Sequence, residues 1–172
     1  MIIVDLQHAS DSLWAYCLER YEYPNVKEYS LTWQDKYKGN VNAVFALLWA
    51  QQSGVPMRAL EAPKWQHLVT QTQHVLVDPI REQRKAITDK SSPYYSLLLQ
   101  DELDAERRQQ QHLLQYIMTL QESSPALQSH SHFIDYIDWH CTTQLHPSRF
   151  SEGIEYVKQL ASIITAAAKG SH

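Results

Sequence analysis

Two carboxylates one helical turn apart have the clearest potential for chemistry in this 172-residue chain. Glu102 and Glu106 are four positions apart in a segment with helical periodicity, so both lie on one face. Gln110 lies on that face too, which otherwise carries apolar residues, namely Leu98, Leu99, Leu103, Leu113, Ile117 and Leu120. Carboxylates inside an apolar stripe are costly to bury without partners. Coupled acid pairs of this kind serve proton transfer or the binding of a cationic ligand.

An arginine-containing segment just before this helix offers the partners. Arg84 lies on its inner face and Arg81 flanks that face. The turn at 91–93 is short enough for an antiparallel hairpin, so we expect ion pairs from Arg84, together with Arg81, to Glu102 or Glu106. We favour a structural network that fixes helix register. The alternative interpretation makes these groups the wall of a polar pocket.

The elements that must position these residues are helices. Only four glycines are present, and Gln, Leu and Ala are abundant, which favours helices joined by short turns. Hydrophobic periodicity predicts an all-α bundle of about seven or eight helices in one domain over residues 1–168. The longest helix is expected at 94–121, and two more at 132–143 and 151–168. Asp78-Pro79 predicts a break or kink, with Asp78 as a cap.

The helix expected at 40–52 is apolar or small almost all the way round, which is typical of a buried central helix. Asn40 is expected to cap it. Asn42 lies near its start on an apolar stripe and must find hydrogen-bond partners if it is buried. Gln34, Asp35 or a carbonyl of the preceding helix are within reach. A structural clamp at this turn is our default interpretation of Asn42, and a ligand contact is the alternative.

Signatures of metal and cofactor chemistry do not occur in the sequence. The Glu-x-x-His pairs of di-iron bundles, zinc-ligand spacings, glycine-rich phosphate loops and the G-x-S-x-G elbow are missing, so no metal and no cofactor is predicted. Cys17 lies on an apolar stripe, where a buried, inert thiol is expected. His140 is expected to be a core or boundary histidine rather than a ligand. Whether the chain is an enzyme stays open.

Several separated motifs resemble a bacterial family known mainly as a domain of unknown function. They are Ser12-Leu-Trp14, Tyr21, Pro24, Val26, Gln34-Asp35, Val41-Asn42, Phe45, Trp49, Arg81-x-x-Arg84-Lys85 and Glu102-Leu103-x-Ala105-Glu106-x-x-x-Gln110. The resemblance extends from about residue 10 to about residue 120. It implies an all-helical bacterial cytoplasmic protein and no particular reaction. The family usually has glycine one residue earlier and aspartate where Asn40 stands, which indicates a cap rather than an essential charge at that position.

Composition limits the kinds of partner and location. A formal charge of -4 gives no general attraction to nucleic acid or an anionic membrane. The two isolated cysteines fit a reducing cytosol, and the first residues lack the features of a signal peptide. The longest apolar run is shorter than the roughly 20 residues of a membrane span. Residues 169–172 resemble the remnant of an expression tag and receive no functional weight.

Three functions follow from these features. The first is a non-enzymatic interaction or regulatory module that binds another protein. The second is a small-molecule binder or enzyme, which requires its candidate residues to approach one cavity. The third is nucleic-acid binding through a basic patch, which we rank last because the overall charge is negative. The candidate binding residues are Asp35, Asn42, Arg81, Arg84, Glu102 and Glu106, and the patch would comprise Arg81, Arg84, Lys85, Lys90, Arg107 and Arg108.

Overall fold

The computed structural model describes residues 5–121 and 132–166, and within these ranges the fold is an all-α bundle, as predicted. One isolated bridge joins Met57 to Gln121. The α-helices are α1 (Leu6–Tyr21), α2 (Val26–Tyr37), α3 (Val41–Gln52), α4 (Ala62–Thr72), α5 (Asp78–Lys85), α6 (Pro93–Thr119), α7 (His132–Gln144) and α8 (Phe150–Ala166). The domain end expected at 168 and the remnant expected at 169–172 lie outside the described residues.

Helix α3 is the centre of the bundle. All its residues from Ala43 to Ala50 are buried, which confirms the expectation drawn from its apolar surface. Helices α1, α2, α6, α7 and α8 pack around it. Its start is fixed by the predicted cap, since the Asn40 side chain accepts a hydrogen bond from the backbone N–H of Ala43 at 2.9 Å.

Of the break or kink expected at Asp78-Pro79, the break is wrong, because the chain continues in helical form from α4 to α5. A π-helical turn, Gln73–Val77, connects the two helices. Pro79 has no N–H and its ring would clash with the carbonyl of Val75 in a regular α-helix, and the wider π turn accommodates it. Asp78 is helical and caps nothing. Its carboxylate instead accepts a hydrogen bond from the Gln73 side chain at 2.7 Å.

Helix α6 packs against α1, α3, α4 and α5 and is the longest helix of the described chain. Ser92 caps it by accepting from the backbone N–H of Tyr94. The predicted inner face is correct for Leu113 and Ile117, which are buried. It is wrong for Leu99 and Leu103, which are 40% and 42% exposed because the neighbouring helices leave a cleft there.

The turn between α2 and α3 depends on two consecutive residues with different constraints. Lys38 ends α2 in the left-handed conformation, with φ 55°, which glycine adopts at lower cost than lysine. Gly39 lies directly against the buried indole of Trp33, so a Cβ atom would be 2.0 Å from Trp33 Nε1. Position 39 therefore requires glycine because there is no room for a side chain. Position 38 would accommodate glycine more easily than lysine because of its backbone conformation.

Substitutions at these neighbouring positions should have opposite effects on the free energy of unfolding. Gly39→Ala should destabilise the protein by about 1–3 kcal/mol or more, because the indole of Trp33 cannot move without disturbing the core. Lys38→Gly should stabilise it by about 1 kcal/mol, because it removes the strain of a left-handed lysine. Urea denaturation measures both changes, and an unaltered stability of Gly39→Ala would contradict the described packing.

Candidate functional site

The predicted ion pairs between α5 and α6 are confirmed, and Glu102 is their common partner. Arg81 Nε donates to Glu102 Oε1 at 2.7 Å, and Arg81 Nη2 donates to Glu106 Oε1 at 3.0 Å. Arg84 donates to both oxygens of Glu102 through Nε and Nη2. Glu102 is only 7% exposed. These four residues form the ion-pair cluster, in which Arg81 bridges the two carboxylates.

The two carboxylates of the cluster differ in their electrostatics. Burial disfavours the charged form of Glu102, but hydrogen bonds from Arg84 and Arg81 outweigh it and hold its pKa below the usual value. Burial raises the pKa of Glu106, and the charge of Glu102 adds to that effect against the attraction of Arg81. Glu102 is therefore the stabilised anion of the cluster, and Glu106 is the carboxylate whose charge is less fully compensated.

A chain of side-chain amides continues inward from the cluster. Asn42 Nδ2 donates to Gln109 Oε1, and Gln110 Nε2 donates to Asn42 Oδ1, both at 2.9 Å. Gln110 Nε2 also lies 3.2 Å from Cys17 Sγ, and Gln109 Nε2 donates to Thr72 Oγ1 at 3.1 Å. The expected partners of Asn42 are therefore wrong. Asn42 joins α3 to α6 because α6 carries the nearest buried amides, and it does not clamp its own turn.

An open cleft of about 370 Å³ lies over the ion-pair cluster. Helix α1 supplies one apolar wall, α6 supplies another, and α5 supplies the arginines. The outer part of the cleft is apolar, since Leu18, Tyr21, Leu99 and Leu103 are all solvent-exposed large side chains. The remaining lining residues are Trp14, Cys17, Glu22, Gln34, Asn40, Val41, Asn42, Phe45, Gln73, Arg81, Arg84, Glu102, Glu106 and Gln110.

Five of the six candidate binding residues lie at this cleft. Asn42, Arg81, Arg84 and the two glutamates line it, so the charges of α5 and α6 and the start of α3 do converge. Asp35 is exposed on α2 and does not line the cleft. The structure therefore does not form a single site that includes Asp35.

Sequence reasoning placed Gln110 on the inner face of α6, but it missed the burial of Gln109 and the exposure of the apolar residues of the site. Gln109 is completely buried and Gln110 is nearly so. Their position one and two turns after Glu106 and Glu102 on α6 was the available signal, because a helix face that buries carboxylates also buries polar residues further along it. Nothing in the local pattern marked Leu18 and Tyr21 as exposed, since both belong to the apolar stripe of α1.

A second concave surface adjoins the cleft on the side of the π turn. This hollow has a volume of about 360 Å³ and shares Gln34, Asn40, Gln73 and Arg81 with the cleft. Most of its lining residues are polar, and Lys38, His74 and Asp78 are among them. Asn40 Nδ2 donates to Gln73 Oε1 at 3.0 Å across the border between the two. The cleft and the hollow are adjacent, and the two together are called the groove below.

The other singled-out residues have structural surroundings. Cys17 is buried, and burial raises the pKa of its thiol to about 12. His140 is fully buried, where burial lowers its pKa, and its Nε2 lies 3.0 Å from the carbonyl of Tyr37. Both cysteines are free. Among residues 5–121 and 132–166, no three His, Cys, Asp or Glu side chains are grouped as metal ligands, and no helix there is long and apolar enough to cross a membrane.

Three of the six basic residues of the expected patch are paired with carboxylates. Arg81 and Arg84 are engaged in the ion-pair cluster, and Arg107 is paired with Asp11 at 2.6 Å. Half of the residues needed for a nucleic-acid surface are thus neutralised by carboxylates.

The fold and the site define an all-helical protein with a surface cleft built over ion-paired side chains. A family model described as "Protein of unknown function (DUF2390)" matches residues 12–113, more than half of the chain, and the chain belongs to that family. Neither the curated proteins nor the solved structures contain a match to it. Every residue that lines the cleft, from Trp14 to Gln110, lies within the matched range.

Removal of the Asn42 side chain should destabilise the fold. Asn42→Ala leaves the buried amides of Gln109 and Gln110 without one partner each, so the free energy of unfolding should fall by about 1–3 kcal/mol. Gln115→Ala, an exposed position on α6, is the matched control and should change it by less than about 0.5 kcal/mol. Urea denaturation measures both, and equal effects would contradict the role of the amide chain.

The two glutamates should give opposite pH dependences of stability. Glu102 has a lowered folded-state pKa, so it stabilises the fold above the unfolded-state pKa of about 4.3, and this is lost as pH falls through the folded-state value. Glu106 has a raised pKa, so its charge opposes folding at neutral pH and is relieved as pH falls.

Urea denaturation of the wild type, Glu102→Gln and Glu106→Gln between neutral and acid pH tests this difference. Glu102→Gln should cost about 2 kcal/mol or more at pH 7, because Arg84 loses its charged partner and Arg81 keeps only Glu106, and the cost should shrink below pH 4. Glu106→Gln should cost less at pH 7 than Glu102→Gln. A larger cost for Glu106→Gln would show that the assignment of the stabilised anion is wrong.

Proposed function

We propose that the protein is a non-enzymatic interaction module that binds a segment of another protein in the groove. One observation carries the proposal: solvent-exposed large apolar side chains from two helices, α1 and α6, border the same open cleft. Clustered exposed apolar residues mark interaction sites, whereas single ones are normal on a surface.

The shape of the groove favours an extended segment as its occupant. The cleft and the hollow share four lining residues, and each of them is open to solvent. A compact metabolite would occupy one of the two volumes, while a chain segment can place an apolar side chain in the cleft and polar groups over the hollow. Anchors in pockets surrounded by polar contacts are the usual organisation of such interfaces.

A small-molecule binder or enzyme is the second candidate, and it is favoured by one specific observation. The cleft volume of about 370 Å³ lies within the range of ligand pockets, and Glu106 in it has a raised pKa. Such carboxylates occur among general acids and bases. We rank this candidate second because Glu102 is held as an anion by two arginines, which suits a structural network better than proton transfer.

The proposal includes a bacterial cytoplasmic location. It is supported by the family resemblance described above and by two cysteines that are both buried and free. The proposed partner is a protein, and neither nucleic acid nor a membrane is proposed.

Site-specific photo-crosslinking in the native host tests the proposed function. A photoreactive phenylalanine analogue at Leu103, inside the cleft, should give a reproducible crosslink to a partner protein. The same analogue at Leu97, on the same helix but outside the cleft and 59% exposed, is the matched control and should not. The crosslinked peptide then identifies the bound segment for measurement with purified components.

Variants in the apolar outer part of the cleft provide the second half of this test. Leu18→Ser with Leu103→Ser should weaken binding of the identified segment at least about tenfold, since buried apolar anchors contribute more than 1 kcal/mol each. Leu31→Ser with Val75→Ser removes two exposed apolar residues elsewhere and should leave binding unchanged. Equal binding by both double variants would overturn the proposal.

A further inference from the structure

The charges that line the cleft are not balanced. Three carboxylates, Glu22, Glu102 and Glu106, face it together with two guanidinium groups, those of Arg81 and Arg84. The cleft therefore carries an excess of one negative charge when all five groups are ionised. Glu22 is exposed and directly follows the last residue of α1. An occupant with a single positive charge would complete the balance.

Aromatic rings in the cleft favour the same kind of charge. Trp14, Tyr21 and Phe45 line it, and Tyr21 stacks on Phe45 with ring centroids 5.8 Å apart. The faces of aromatic rings attract cations. Arg107 already shows this attraction at the edge of the cleft, because its guanidinium lies 5.6 Å from the centre of the Trp14 ring.

Hydrogen-bond acceptors in the cleft are incompletely used. Gln110 is only 3% exposed, and its Oε1 is a buried atom without a hydrogen-bond partner among the described residues. Glu106 accepts through Oε1 from Arg81, while Glu102 uses both of its oxygens. The carboxylate that is less fully compensated is thus the one with accepting capacity left for a donor.

We propose that the cleft recognises an alkylammonium group, supplied by a lysine side chain of the bound segment. The apolar stem of the lysine would pack against Leu18, Leu99 and Leu103, and its ammonium would donate to Glu106. A side chain with an apolar stem and a cationic head matches a cleft whose outer part is apolar and whose inner part offers unused acceptors on Glu106 and Gln110. The inference deepens the proposed function and rests on it for the source of the ammonium group, although not for its chemistry.

Three probes with the same hexyl tail and different head groups test the chemistry. Hexylammonium, hexanol and heptanoate are titrated into the full-length protein at low ionic strength and followed by amide chemical shifts and calorimetry. Hexylammonium should bind at least about tenfold more tightly than either of the others, because a charge-assisted hydrogen bond is worth roughly one factor of ten or more. Equal binding of the three, or tighter binding of heptanoate, would overturn the proposal.

The variant Glu106→Gln tests whether the carboxylate of Glu106 is the group that binds the ammonium. It keeps the shape of the side chain and should reduce hexylammonium affinity about tenfold while leaving hexanol affinity unchanged. Asp101→Asn, an exposed position on the same helix outside the cleft, is the matched control and should change neither. Chemical shifts of the unbound variants show whether they are folded. The comparison of the three probes in the wild type keeps its meaning even if Glu106→Gln is unstable.

A pair of peptides decides the source of the ammonium group. A blocked five-residue peptide with a central lysine between two leucines is compared with its norleucine analogue and with hexylammonium. Tighter binding of the lysine peptide than of both others supports a protein segment. If the lysine peptide binds no more tightly than hexylammonium, the assignment of the ammonium group to a protein segment is overturned, and a free amine is indicated as the ligand.

Failure of this inference and failure of the proposed function give different results. A partner crosslinked at Leu103, combined with no preference for the ammonium probe, would refute only the proposal that a lysine side chain occupies the cleft. A clear preference for hexylammonium without any crosslinked protein would refute the interaction module and leave the cleft as an amine site.

Discussion

The burial of Glu102 is the constraint on which the site depends. A carboxylate that is almost inaccessible to water is tolerated only with charged donors close to it, and two arginines of α5 provide them. This requirement holds α5, which has no buried residue of its own, against α6. A short helix with a very polar composition is thus kept in place by ion pairs rather than by apolar packing.

The polar groups of α6 extend this constraint across the bundle. Helix α3 is apolar almost all round, so the buried amides of Gln109 and Gln110 have Asn42 as their partner on it. The amide chain lies between the charged cluster on one side and the apolar core on the other. The cleft is situated at this boundary, and for that reason its inner part is polar while its outer part is formed by leucines that the core did not enclose.

The features that could be predicted from sequence are those decided by residues close together in the chain. Asn40 caps its own helix, and Arg84 and Glu102 meet because their segments form a hairpin with a short turn. The exposure of Leu103 could not be predicted, because it depends on how far α1 lies from α6. The partners of Asn42 could not be predicted either, since more than sixty positions separate it from the amides it contacts. Periodicity assigns a residue to a helix face, but only packing decides whether that face is covered.

The π turn has a consequence for the phase of the helix that follows it. One additional residue per turn rotates everything after it by about 100° relative to a continuous α-helix. Arg81 and Arg84 face α6 only with that rotation included. The length of the segment Gln73–Val77, rather than any side chain in it, therefore selects which residues of α5 reach the cleft. Among related chains, gain or loss of a single residue in this turn would be expected to accompany a change in the positions of both arginines.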